Sequence, residues 1–244
     1  MLTSVRPERA TRPKRFYKAA EAAVCDGEFG VLLDGRRVRT PAGLKLAVPT
    51  LALAELIAAE WAAQGEFIAI ADMHATRLAY TAADKADVPR EAFAEGAARY
   101  AGADVICYFA DGPDSLVARQ DAEWGALIEW ADAELGLRLV RVTGVLHQPQ
   151  PEGAVERAQA LALDLADYAL IGLAFGAALY KSTVLAFAVQ RGRLSGVEAL
   201  DLSRLDEAFQ EERWGVDADA AARTARQRTE ARMLDDWFKA LGQA

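Results

Sequence analysis

The chain is short of the residues that most enzymes and metal proteins use. Of 244 residues, two are histidine and two are cysteine. His74 and His147 have no partner at metal-ligand spacing, and both are expected in or near surface loops. Cys25 and Cys107 lie far apart, so no disulfide framework is possible and a reducing compartment fits. Each cysteine is expected to be a small buried apolar residue. No Gly-x-Ser-x-Gly elbow occurs, and no Gly-x-Gly-x-x-Gly follows a strand pattern. Positive charge is also in deficit: 28 Lys and Arg against 36 Asp and Glu leave a net charge of −8. A nucleic-acid binder needs a basic face to neutralise phosphates, so that class is disfavoured.

Proline is missing after Pro151. Interior proline costs a helix about 3 kcal/mol, and the proline-free stretch is rich in Ala, Leu, Arg and Glu. Residues 152–242 are therefore predicted to be almost wholly helical, with breaks near 192–196 and at Gly215. An uninterrupted apolar run is also lacking. Residues 169–189 come nearest, but Lys181-Ser182-Thr183 cuts them, and a charge at bilayer centre costs about 2.5–3.5 kcal/mol. The run is predicted to be a buried core helix, with Lys181 in an internal ion pair to Asp164 or Asp167. The Lys-Ser-Thr triplet resembles the end of a phosphate-binding loop, but Tyr180 and Phe175 stand where that loop needs glycine.

The N-terminal part reads differently. Arg6, Arg9, Arg12, Lys14, Arg15 and Lys18 face only Glu8, a pattern like a mitochondrial transit segment, read here as a simple basic tail. Phe29, Val31 and Leu33 alternate up to Asp34-Gly35, a strong hairpin signal. A second strand is expected over 44–48, and 15–48 should form a small antiparallel sheet. Thr50 is placed to cap a helix to Gln64 with Ala54, Ile57, Ala58 and Trp61 inward. Phe67 to Ile70 reads as one more strand. Further helices are expected over 76–85, 90–101 and 115–135, the last ending at Gly136, with 137–151 an extended excursion. The fold class is α+β: a basic tail (1–14), a β-rich N-terminal domain (15–85) and a larger helical C-terminal domain (86–244).

Residues 203–215 carry the clearest functional signal. Ser203 and Asp206 have capping-box spacing, and Gly215 suits a helix end. Leu205, Ala208 and Phe209 face inward at helical spacing. That leaves Asp206, Glu207, Gln210, Glu211 and Arg213 outside, with Trp214 at the tip. So polar a helix, closed by a large aromatic, holds no nucleophile and no metal cluster. It reads as a surface that touches another macromolecule, against the simpler alternative of a solvated amphipathic helix.

An ordered set of short stretches then resembles a known family. It comprises Arg15-Phe16-Tyr17-Lys18, Leu33-Asp34-Gly35-Arg36, Thr40-Pro41, Val48-Pro49-Thr50, Glu60-Trp61 with Gln64, and Tyr100-Ala101 with Asp104. It continues with Gln120 and Trp124, Lys181-Ser182, and Glu207 with Gln210 and Trp214-Gly215. The set spans about residues 14–216 and resembles the α-subunit-specific assembly chaperone of the F-type ATP synthase, of mitochondria and α-proteobacteria. The chain departs from that pattern at His74, Phe109 and Gly125-Ala126. The resemblance implies a cytoplasmic or matrix protein with no enzymatic activity, no cofactor and no metal. It implies one that binds the free α subunit, as a monomer, until β replaces it. It also implies that an acidic residue in the segment of Glu207 matters. Asp206, Glu207, Gln210, Glu211 and Trp214 are the candidate partner-binding residues. Two rivals stand beside this reading. One is a small-molecule enzyme using a cleft between sheet and helices, lined by carboxylates and His74. The other is a scaffold acting through the helix over 217–240, whose acidic start and later arginines match the helix dipole without a partner.

Overall fold

The computed structural model describes residues 12–84, 88–144, 146 and 148–242. Most of the expected basic tail, and His147, lie outside them. Two Asp-Gly turns build the N-terminal sheet. Strands β1 (Ala20–Cys25) and β2 (Glu28–Leu33) pair antiparallel, and Asp26 and Gly27 turn between them at φ 57° and 84°. Asp34 and Gly35 repeat the turn at φ 48° and 78° into β3 (Arg36–Arg37). Positive φ at both central residues matches the twist of the flanking strands. The Asp34 carboxylate also accepts the N–H groups of Ala19 at 2.9 Å and Lys18 at 3.0 Å, which holds its pKa below the usual carboxylate value. Cys25 is half-buried at the end of β1, not fully buried as expected, whereas Cys107 is buried. Residues 44–48 make only isolated bridges, Lys45 to Arg39 and Val48 to Phe29, because the Thr40–Gly43 turn leaves too little ladder for a strand. The strand expected over Phe67 to Ile70 is also absent. Phe67 makes one bridge to Lys14, and the chain then tightens into a 3₁₀ turn (Ile70–Asp72).

Helix α1 (Leu51–Ala62) follows its sequence closely. The Thr50 hydroxyl accepts the Leu53 N–H at 3.1 Å, and Ala54, Ile57, Ala58 and Trp61 are buried against the sheet. Helix α2 (His74–Ala83) takes its cap from α1. The Glu60 carboxylate accepts the N–H groups of Ala75 and Thr76 and the Thr76 hydroxyl at 2.8, 2.7 and 2.7 Å. After α3 (Arg90–Ala98), α4 (Asp114–Trp130) runs through a π turn to Gly136 at φ 67°. The extended excursion follows, and within it β5 (Val142–Thr143) pairs parallel with β4 (Tyr108–Phe109). Arg141 lies 4.6 Å over the Phe109 ring and against Gly125, where a Cβ would stand 2.5 Å from its guanidinium. Phe109 and Gly125, two of the departures from the family pattern, thus meet at one side chain.

The proline-free part holds α5 (Ala154–Leu163), α6 (Asp167–Tyr180), α7 (Thr183–Gln190), α8 (Gly196–Ser203), α9 (Leu205–Trp214) and α10 (Ala218–Ala240). The single helix expected over 169–189 is two. Lys181, at φ 53°, ends α6, and the Ser182 hydroxyl caps α7 by accepting the Leu185 N–H at 3.0 Å. Lys181 is exposed and makes no internal ion pair; Asp167 pairs with Arg90 instead. Asp104 fixes the break. Fully buried, it accepts the N–H of Val184 at 3.1 Å and of Ile106 at 3.4 Å, and is also bonded by the Ser182 hydroxyl. Burial pushes its pKa up to about 6 against the lowering effect of those bonds. No described helix is long and apolar enough to cross a membrane.

One apolar core runs from Tyr17 to Phe238. Helix α10 enters it where neighbouring helices carry glycine. A Cβ on Gly196 would sit 2.0 Å from the Ala231 carbonyl oxygen, and one on Gly172 would sit 2.8 Å from Trp237 Nε1. Trp237 is fully buried and donates to the Tyr168 carbonyl at 3.0 Å. The sheet side is tied on by the Thr50 hydroxyl, which donates to the Ala240 carbonyl at 2.6 Å, and by the Tyr168 hydroxyl, which donates to the Ala47 carbonyl.

Gly196→Ala is expected to destabilise the fold by ~2–3 kcal/mol or more, since backbone rather than a flexible side chain must move; chemical denaturation measures it. Asp104 sets a pH dependence. Its pKa is raised from 3.8 to about 6, so its contribution is complete below pH 3.8 and is lost as pH rises through about 6. Asp104→Asn should flatten that part of the stability–pH curve, read from urea unfolding across the same window.

Candidate functional site

Helix α9 starts without a side-chain cap. The capping box expected at Ser203 and Asp206 is instead formed by Ser195 and Glu198, at the start of α8. There the Ser195 N–H donates to the Glu198 carboxylate at 2.7 Å, and the Glu198 N–H donates to the Ser195 hydroxyl at 3.2 Å. Only Arg204 separates α8 from α9, so Ser203 is the last residue of α8 and its hydroxyl donates to the Leu200 carbonyl at 2.8 Å. A cap needs an extended residue before the helix, and position 203 is helical.

Leu205 and Phe209 are buried and seat α9; Ala208 is half-buried. The polar side chains divide into two groups. Asp206 is half-buried and accepts from Gln120 Nε2 at 2.7 Å, while Gln120, fully buried on α4, takes the Ala110 N–H at 2.8 Å on its Oε1. Burial raises the Asp206 pKa, against the lowering effect of the Gln120 bond. Glu211 is half-buried and pairs with Arg204 at 2.8 Å. Arg213 lies 4.1 Å over the Phe209 ring, and Arg119 reaches Glu212 at 2.8 Å. Asp206 and Glu211 therefore brace the helix, rather than standing outside it as the sequence suggests. Glu207, Gln210 and Trp214 are exposed. Trp214 is 75% exposed, and Val216, just past Gly215, is 57% exposed. Gly215 ends the helix at φ 85°.

Beside this face is a polar cleft of about 170 Å³, in which Glu207 and Glu211 meet Lys181, Arg204 and Arg223. Sequence reasoning did not assign Lys181, Arg204 or Arg223 to it, since each lies on a different element and no periodicity joins them. Gln120 and Lys181 had a signal, their place in the family-like set, but nothing tied the one to Asp206 or the other to this cleft. A larger cleft of about 550 Å³ lies between Arg39-Thr40-Pro41 and helices α2 and α6. His74 lines it, as the enzyme reading requires, but among the described residues no carboxylate does. Among the described residues, no three His, Cys, Asp or Glu side chains are grouped to hold a metal.

Comparison with known proteins decides the family. Residues 14–132 match the ATP12 chaperone protein family. The structure superposes on that of Atp12 from Paracoccus denitrificans with a TM-score of 0.85 and 36% identity, covering 93% of this chain and 98% of that one. The chain belongs to the ATP12 chaperone family. This is the ATP synthase assembly-chaperone family that the sequence resembles. The Atu1473 protein of Agrobacterium tumefaciens has a TM-score of 0.86 and 37% identity, over 94% of this chain and 86% of its own. The mitochondrial protein atp12 of Schizosaccharomyces pombe is 26% identical over 219 residues, 85% of this chain and 75% of its own. The small antiparallel sheet followed by helices is the α+β arrangement of these ATP12 structures.

The residues that brace α9 and those exposed on it should respond differently to mutation. Gln120→Ala leaves the half-buried Ala110 N–H and the Asp206 carboxylate without this partner and should cost ~1–3 kcal/mol. Trp214→Ser should change stability by less than ~0.5 kcal/mol. Urea denaturation of the two variants checks both.

Proposed function

We propose that this protein binds the free α subunit of the F-type ATP synthase catalytic sector and masks it until β takes its place. The observation that carries this reading is Trp214, 75% exposed at the tip of a helix braced from behind. A monomeric soluble domain has little reason to hold an indole in water, and aromatics of this kind anchor interfaces. Glu207 and Gln210 stand beside it, exposed and able to pair with polar groups on a client.

The physical task is to cover a surface that a neighbouring subunit will later cover. Unassembled ring subunits expose apolar patches that promote aggregation. Shielding needs about 1,000–1,600 Å² of contact. Release needs no nucleotide if β binds more tightly, since each 1.4 kcal/mol of advantage shifts exchange about tenfold. In this account the protein works as a monomer, in the bacterial cytoplasm or mitochondrial matrix, and makes or breaks no bond. Asp206 and Glu211 fix the angle of the helix, while Glu207, Gln210 and Trp214 touch the client. Family membership supports the chaperone role, and the lack of a carboxylate among the described residues lining the His74 cleft weighs against the enzyme.

Glu207→Lys should leave thermal stability unchanged and abolish rescue of α-subunit solubility on co-expression. Persistent rescue by this variant would remove α9 from the interface.

A further inference from the structure

The α9 face does not end at α10. Arg223, on α10, lines the cleft beside Glu207 and also a second groove of about 500 Å³ with Arg226, Arg77 and His74. His74 and Arg77 in turn line the 550 Å³ cleft against the sheet. Shared lining residues link the three clefts in series, from Glu207 past Arg223 on α10 to Arg39. Their character changes along the way. The α9 end carries Glu207 and Glu211; the middle mixes Arg223 and Arg226 with Asp72 and Glu230; the far cleft has Arg39 and Arg77 and, among the described residues, no carboxylate in its lining.

That far cleft is unusual in a chain of net charge −8. Arg39 donates one nitrogen to the Gly43 carbonyl at 2.7 Å, and Arg77 donates one to the Ala71 carbonyl at 3.1 Å. Among the described residues, neither Arg39 nor Arg77 has a carboxylate within ion-pair distance, nor do Arg223 and Arg226. Two guanidinium groups oriented by backbone, with their remaining N–H donors unclaimed, suit carboxylates. Between them Phe175, Leu78 and Ile70 supply an apolar floor.

We infer that this cleft is a second contact for the client, and that it seats an acidic segment of the α subunit. An apolar side chain rests on Phe175 and Leu78, and flanking carboxylates meet Arg39 and Arg77. The inference rests on the α-subunit reading above, and extends it to a second, charge-complementary site lined by Arg39 and Arg77.

The test measures affinity for isolated α subunit at two ionic strengths, with the full chain. Arg39→Glu with Arg77→Glu should weaken binding about tenfold or more and flatten its salt dependence, with Tm unchanged. Arg39→Gln with Arg77→Gln should act in the same direction to a smaller extent, and serves if charge reversal lowers Tm. Thr81 is exposed in the cleft wall. A benzophenone on Thr81→Cys, in a Cys25→Ala background, should crosslink to an acid-rich client peptide. Unchanged affinity in both arginine variants, with Glu207→Lys still disruptive, would overturn this inference and leave the α9 reading intact. No complex with the wild-type chain would sink the α-subunit reading itself, and this inference with it.

Discussion

Helix α10 occupies the centre of this protein because its neighbours lack a side chain where it passes. At Gly196 its backbone comes so near that a single methyl group would strike the Ala231 carbonyl. At Gly172 the Trp237 ring fills the space that a Cβ would need. That packing has three consequences. It buries Trp237 and Phe238 and so ties the last helix to α6. It brings Ala240 to Thr50, which clamps the first helix and the sheet behind it. It fixes α8, and through the one-residue Arg204 joint it fixes the direction of α9. Close packing transmits position, so a helix pressed against α10 cannot be re-aimed cheaply.

Most residues of the family-like set have work to do within the fold. The Tyr17 hydroxyl donates to the Trp61 carbonyl at 2.7 Å. Glu60 caps α2, Gln64 accepts the Ala69 N–H at 2.8 Å, and Trp124 donates to the Leu202 carbonyl at 3.0 Å. Asp104 and Ser182 set the break between α6 and α7. These groups satisfy buried polar atoms, and an unsatisfied one is costly. The α9 tip follows another rule. Its exposed residues contribute little to the fold, so they are free to serve recognition.

The sequence revealed elements whose boundaries are set locally. Thr50 and the inward face of α1, the Asp34-Gly35 turn, Gly136 and Gly215 are all where spacing and turn chemistry put them. It misled where two local patterns competed. Ser203 has capping spacing to Asp206 but is itself helical, and the box forms at Ser195, which is extended. The apolar run over 169–189 gave no sign that Asp104, far away in sequence, would hold a break at Ser182. Of the candidate surface, Trp214 and Glu207 were legible because their neighbours at helical spacing are plainly core. The bracing by Gln120 and Arg204, and the arginine track from Arg223 to Arg39, depend on elements brought together only by folding.

The proposed working surface centres on one exposed indole, the other tryptophans being buried or half-buried. A direct measurement is ¹⁹F NMR of protein carrying 5-fluorotryptophan, with the Trp214 signal assigned from a Trp214→Phe sample. Addition of isolated α subunit should shift or broaden that signal selectively, and isolated β subunit should leave it unchanged. A Trp214 resonance indifferent to α, at concentrations where the two proteins co-migrate, would contradict the account.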